Sequence, residues 1–355
     1  MTLRPPRKKI RGVRYLILTI LALMLGRGAA DALRPDWRVD FGSVFDNREG
    51  DDHVYDDKTY FFLSLGAEGG LSFTPRDRIA AGAMWIQPLE NGVRDSRVVP
   101  VAYYRHEDPR WKFSMGLVPR TQLRRQLPGF LWSDSLAYFQ RIIRGALVTY
   151  DHRCGFAEAY IDWRAHQSET RREAFNILAY GEWRPRAGRL LLGGHALMNH
   201  YAKTRNAPED QSIVDNFLIN PYIGADFSRL TGLDSLSVRG GMLMTLERYR
   251  GAGPGWRTPA GAWLEAAARW RWIEVRNSLY AGGRLLPLYD TFGASLYQGE
   301  AYYKTSFYDR ADLLLHIYSN KFMNLRGELN FNLSPSNFMF YQRLMVEISL
   351  SGGKR

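Results

Sequence analysis

Few residues in this 355-residue chain are spaced for covalent chemistry. A nucleophilic Ser or Cys needs a base within hydrogen-bond reach, and the seven histidines are scattered at 53, 106, 152, 166, 195, 200 and 316. His195 and His200 are five apart, which places them on opposite faces of a strand. His195 shares a face with Asn199, and with a serine on a neighbouring strand it could form a His-Ser-Asn set for ester hydrolysis. That chemistry needs a lipid-facing surface, whereas this face reads as inward. The acids Asp46, Glu49, Asp51, Asp52, Asp56 and Asp57 could offer oxygen ligands to Ca²⁺ but lack the regular spacing of an EF-hand loop. They read as a solvated acidic loop. No P-loop, GxSxG, HExxH or CxxC motif occurs. The expectation is therefore no catalytic residues, no metal, no cofactor and no enzyme, with an outer-membrane hydrolase as the remote alternative.

The positioning elements are more legible. Residues 1–30 carry Arg4, Arg7, Lys8, Lys9, Arg11, Arg14 and Arg27 without an acid, around an apolar stretch Tyr15 to Leu25, and small residues follow at Gly28, Ala29 and Ala30. This is the pattern of a cleaved secretory signal peptide, too short to span a bilayer. Removing it takes seven of the +12 charges and leaves +5, so a nucleic-acid partner loses its main support. The single cysteine, Cys154, excludes a disulfide scaffold. A mean hydropathy of −0.33 and the lack of a long apolar run exclude a helical membrane protein, and 20 Tyr, 18 Phe and 10 Trp argue against disorder.

From residue 36 onward the signal is period two. In 322–333, Met323, Leu325, Leu329 and Phe331 alternate with Asn324, Arg326, Glu328, Asn330 and Asn332. Segments 155–164, 262–272 and 308–318 behave alike, and about sixteen such segments (14–18 allowed) run to residue 350. The connections alternate short and long, with turn-like links such as 74–77, 107–109 and 185–188 set against 119–140, 203–213 and 286–306. This predicts an all-β, transmembrane antiparallel barrel as one domain over 31–355, with short turns towards the periplasm and long loops outside. Aromatics near segment ends (Trp37, Tyr60, Trp111, Tyr150, Trp183, Trp270, Trp272) fit interface girdles.

The polar faces supply pore-lining candidates: Arg239, Glu265, Arg269, Arg271, Arg276, Arg310, Asp312, Arg326, Glu328, Arg343 and Glu347. With near-balanced charge they describe either a water-filled channel or a paired network holding the barrel shut. Arg120, Arg124 and Arg125 open the long loop 119–140, whose apolar content should fold inward as a constriction or lie over the mouth as a lid.

FDNRE (45–49), MGLVPR (115–120), SDSLAYF (133–139), YIDWRAHQSETRREAF (160–175), PYIGADFS (221–228) and LYQGEAYYKTSFYDRADL (296–313) resemble porin-like outer-membrane barrels of the Bacteroidota type, most without an assigned role. The resemblance covers the barrel and implies an outer-membrane location in a Gram-negative bacterium, reached through the periplasm and the barrel-insertion machinery. One departure is the C-terminus, ISLSGGKR, which lacks a final aromatic. The expected function is passive diffusion of small polar solutes through a porin-like channel, or alternatively dedicated export of a polysaccharide or lipid. The expected partners are outer-membrane lipid and lipopolysaccharide.

Overall fold

The computed structural model describes residues 33–51, 55, 57–90, 93–185, 188–228, 230–335 and 337–353, so the segment read as a signal peptide lies outside the described residues. The strands are β1 (Arg34–Asp51), β2 (Lys58–Ser72), β3 (Asp77–Pro88), β4 (Arg97–Glu107), β5 (Trp111–Pro119), β6 (Ile142–His152), β7 (Gly155–Ala165) and β8 (Ala174–Trp183). They continue with β9 (Leu190–Tyr201), β10 (Val214–Asp226), β11 (Ser235–Tyr249), β12 (Ala260–Trp270), β13 (Ile273–Gly282), β14 (Phe307–Ser319), β15 (Met323–Ser334) and β16 (Asn337–Gly353). Each pairs antiparallel with its chain neighbours, and β1 pairs with β16 from Asp36↔Gly353 to Asp51↔Phe338 to close the barrel. Closure leaves no strand edge unpaired, the condition for crossing a hydrocarbon layer with strands. Among the described residues no helix is long and apolar enough to cross a membrane.

The alternation read from sequence is the inside–outside alternation of the wall. On β10, Val214, Asn216, Leu218, Asn220 and Tyr222 point inward and are buried, while Phe217, Ile219, Pro221 and Ile223 face out and are exposed. On β15, Asn330, Asn332 and Ser334 are buried while Phe331 and Leu333 are exposed. A closed barrel with an apolar outer belt is stable only in lipid. Trp37, Trp111, Trp183, Trp270, Trp272 and Tyr318 form a half-exposed ring at the short-turn rim, where both described ends of the chain also lie. A stack of Trp163, Phe175 and His200 marks the opposite rim.

Two expectations need correction. Asp46 is no loop residue: β1 runs to Asp51, because Asp46 and Arg48 continue the inward face and are fully enclosed there. Glu49 and Asp51 end the same strand and Asp57 follows it; Asp52 and Asp56 lie outside the described residues. Arg271 is not on a strand face but in the two-residue turn between β12 and β13, with φ +54° and its guanidinium over the Trp270 ring. The chain reverses one residue earlier than its alternating pattern suggests.

Candidate functional site

The barrel interior is divided by two long loops that turn inward. Residues 120–141 connect β5 to β6 and contain one short helix, α1 (Asp134–Phe139), capped by Ser133. Residues 283–306 connect β13 to β14. Both carry large apolar residues that water would not tolerate: Phe130, Leu131 and Trp132 in the first, Leu285, Leu296, Tyr302 and Tyr303 in the second, all buried. With the inward Leu178, Leu243, Trp263 and Tyr280 of the wall they make one apolar cluster inside the barrel. Phe130 sits edge-on to His195, Trp263 and Tyr303. The constriction-or-lid alternative thus resolves as inward folding.

Polar contacts fasten the first loop to opposite sides of the wall. Arg120 pairs with Asp162 on β7 and lies 3.8 Å from the Trp132 ring centroid. The backbone N–H of Arg124 donates to Glu158 (3.1 Å), and Arg125 makes a two-pronged contact with Glu182 on β8, both bonds 2.9 Å. Across the lumen, Asp134 accepts from Arg310 on β14 (2.9 Å) and Arg343 on β16 (2.6 Å), and the Tyr138 hydroxyl donates to Asp46 on β1 (2.9 Å). Charge-assisted, two-pronged contacts of this kind are the stronger class of hydrogen bond. Burial alone would raise the Asp134 pKa, but Arg310, Arg343 and Arg48 together hold it well below the usual carboxylate range.

The second loop locks onto the first. Ser133 N–H donates to the Gln298 carbonyl (2.7 Å) and Glu300 N–H to the Gly129 carbonyl (2.7 Å). The Glu300 carboxyl accepts from Asp134 N–H (2.8 Å) and the Tyr55 hydroxyl (2.8 Å). Burial first, and the Asp134 charge second, push the Glu300 pKa up. Wall contacts include Thr245 Oγ1 to the Leu285 carbonyl (2.8 Å), Arg164 to the Ser295 carbonyl (2.8 Å), and Tyr297 hydroxyl to Glu247.

The pore-lining candidates divide into two sets. Arg310, Asp312, Arg326, Glu328 and Arg343 form a connected network, with Arg310–Asp312 at 2.8 Å, Arg326–Glu328 at 2.7 Å and Arg343–Glu328 at 3.6 Å. Arg343 also approaches Asp46 at 3.1 Å at an angle too bent for a hydrogen bond, so that attraction is Coulombic. Arg239 bridges Glu265 (2.7 Å) and Glu182 (3.3 Å). The second set lies towards the short turns. Arg269 reaches only the Arg271 carbonyl (3.3 Å), Arg276 pairs with Glu274 (2.5 Å), and Glu347 is exposed without an ion pair among the described residues.

Below the loops a vestibule of about 890 Å³ opens at the short-turn rim, with Glu347, Arg38, Arg105 and Gln122 on its walls. Arg141 closes it from above, held by the Tyr138 carbonyl (2.9 Å) and Ser64 (3.1 Å). Asp134, Glu182, Glu300 and Arg141 are not singled out by the sequence; of their partners, Arg310 and Arg343 for Asp134 and Arg239 and Arg125 for Glu182 are, whereas Tyr55, Ser64 and Tyr138 are not.

No Ser or Thr hydroxyl donates to a histidine among the described residues. His106 pairs with Asp77 (2.7 Å) on the outer face near the short-turn rim, His316 with Glu274 (2.9 Å) in the lumen, and His195 with Asn220 (3.0 Å). No group of His, Cys, Asp or Glu among the described residues is arranged to hold a metal ion.

A family model described as lipid A 3'-O-deacylase-type matches residues 34–351, all sixteen strands but for the last two residues of β16. The chain belongs to that family. This overturns the expectation of no enzyme: the family is named for a hydrolase, and a diffuse or absent sequence motif was too weak a ground for excluding one. No individually curated protein matches the sequence. Among solved structures, the chain is similar to Pseudomonas aeruginosa OccK2 (12% identity, TM-score 0.51, 89% of this chain and 98% of that one). It is also similar to Acinetobacter baumannii OccAB3 (10%, 0.51, 91% and 100%) and Salmonella typhi OmpF (11%, 0.51, 88% and 97%). At these identities the likeness establishes the porin-like, outer-membrane barrel fold.

Proposed function

We propose that the chain is a gated conduit for small polar solutes, shut in its outer half by two tethered loops. The observation that carries this reading is the set of inward ion pairs and hydrogen bonds that runs from the vestibule up to the loops and tethers them to the wall beside the apolar cluster. A loop held by such contacts can be released and reseated. Planar-bilayer recording tests it. Brief, infrequent openings are expected from the full chain and a sustained conductance from a chain lacking residues 121–139; silence from both would end the proposal. Export of a polysaccharide or lipid is a variant of the same reading, supported by the same passage. The kinship with Bacteroidota porin-like barrels, contact with lipopolysaccharide, passage through the periplasm and insertion by the barrel machinery belong to it too. N-terminal sequencing of the mature protein, expected to begin after Ala30 or Ala32, tests export.

A second reading is acyl-ester hydrolysis on lipid A, and the family match over residues 34–351 favours it. As no Ser or Thr hydroxyl donates to a histidine among the described residues, this reading takes water as the nucleophile: a carboxylate–imidazole pair such as Asp77–His106 accepts its proton as the C–O bond to the acyl carbon forms, and returns it to the sugar oxygen as the ester C–O bond breaks, releasing a fatty acid. Mass spectrometry of lipid A from cells making the protein should show loss of one acyl chain. An unchanged mass profile would retire this reading without touching the first.

A further inference from the structure

On the outer face, β7, β8 and β9 depart from the bulky apolar belt. Behind the bulky rim residues Trp183, Leu190 and Leu192, their outward positions in the half nearer the short turns are small: Ala157, Ala159, Ala179, Gly181, Gly194 and Ala196. The wall is recessed there into an apolar trough of about 560 Å³, within the roughly 300–1,000 Å³ range of small-ligand sites. Trp111 and Tyr150, with ring centroids 4.6 Å apart, form one bank, and Ile219 and Pro221 the other.

The turns at the mouth of this trough are basic. Arg110, Arg153 and Arg189 are exposed and make no ion pair with a described residue, whereas Arg184 is held by Glu182 and Asp226. Nearby acids are engaged: Glu107 by Arg105 and Lys112, and Asp151 by Lys112 and Arg124. Asp108 accepts the backbone N–H groups of Trp111 and Arg110, which lower its pKa, and makes no ion pair with a described residue. The hairpin tips bearing Arg110 and Arg153 are two strands apart, about 10 Å.

We propose that this trough binds an anionic glycerophospholipid of the leaflet at the short-turn rim. One acyl chain fills the recess, and the phosphate lies between Arg110 and Arg153. A zwitterionic lipid gains the apolar contact but a weaker charge term. A second copy of the chain is disfavoured, because a two-fold interface sets the same patch against itself and would bring the unpaired arginines together.

The test uses the full chain in detergent, incubated with phosphatidylglycerol or phosphatidylethanolamine and examined by native mass spectrometry. Phosphatidylglycerol should be retained preferentially. Arg110→Ser with Arg153→Ser should erase most of that preference, about fivefold per arginine. Ala179→Leu with Ala196→Leu should fill the recess and reduce retention of both lipids. The arginine variant alters exposed turns only, so it remains informative if the filled trough fails to fold. Equal retention of the two lipids, a preference indifferent to the arginines, or a dimer that dissociates on filling the trough would each overturn the proposal.

Discussion

The two halves of the lumen are built from the same alternating strands yet solve opposite problems. In the long-loop half, buried charged residues are held by opposite charges or by hydrogen bonds: Arg343 has 6% of its surface exposed and contacts Asp134, Asp46 and Glu328, while Glu300 accepts from Asp134 N–H and the Tyr55 hydroxyl. In the short-turn half, Glu347 faces an open vestibule without an ion pair among the described residues. Composition does not separate them, since Arg and Glu occur on both inner walls. Solvent access does. Where the loops exclude water, a lone charge costs several kcal/mol and must be paired; where water enters, it need not be.

Removing the occluding segment is the largest perturbation. Deleting residues 121–139 should turn the closed half into a continuation of the vestibule and raise bilayer conductance by an order of magnitude or more; an unchanged conductance would show that this loop does not shut the lumen. Next is Asp134→Ala. Arg310 keeps Asp312, and Arg343 keeps Asp46 and Glu328, so the cost should sit near the lower end for breaking a buried pair, about 3 kcal/mol, read from denaturant unfolding in detergent. New protease cleavage between residues 120 and 141 should accompany it.

A pH titration sharpens the contrast between the two loop carboxyls. Asp134 has a depressed pKa, so its contribution is present above the unfolded value of about 3.9 and is lost only as pH falls through the lower folded value. Glu300 has a raised pKa, so its contribution is full below about 4.3 and fades as pH rises through the folded value. Loop protection should therefore survive mild acid and weaken as pH rises through the raised Glu300 value in the native chain. Glu300→Gln, which carries no charge to ionise, should remove the weakening at rising pH, and a variant that weakens like the native chain would refute the assignment. The smallest effect is expected in the vestibule: Glu347→Gln should change stability by no more than about 0.5 kcal/mol, as for exposed positions generally. A loss comparable to that of Asp134→Ala would erase the distinction between the halves.

The wall was legible because a lipid-facing strand has to alternate, and the pattern survives even where Gly and Ala replace larger residues. It failed at two ends for different reasons. Beyond the hydrocarbon layer both faces of β1 are polar, so Asp46 and Arg48 read as loop although Arg48 is as enclosed as Arg343. At Arg271 the turn itself continues the alternation. Arg310 and Arg343 were visible on clean strands, but their shared partner lies 176 and 209 residues away on a loop with no period of its own. Nothing local in SDSLAYF marks Asp134 as the junction. Its role follows from three-dimensional proximity alone.

The seam between β1 and β16 has a consequence for how the chain is made. Every other strand partner is the next stretch of polypeptide, so fifteen pairings can form as soon as each hairpin emerges. The sixteenth joins the first strand of the wall to the last, in sixteen residue pairs from Asp36↔Gly353 to Asp51↔Phe338. Until that join is made, two rows of backbone groups face hydrocarbon or must be shielded by something else. Assembly is thus committed by a single late event, and a chain cut short of β16 would be a curved sheet with two open flanks instead of a cylinder.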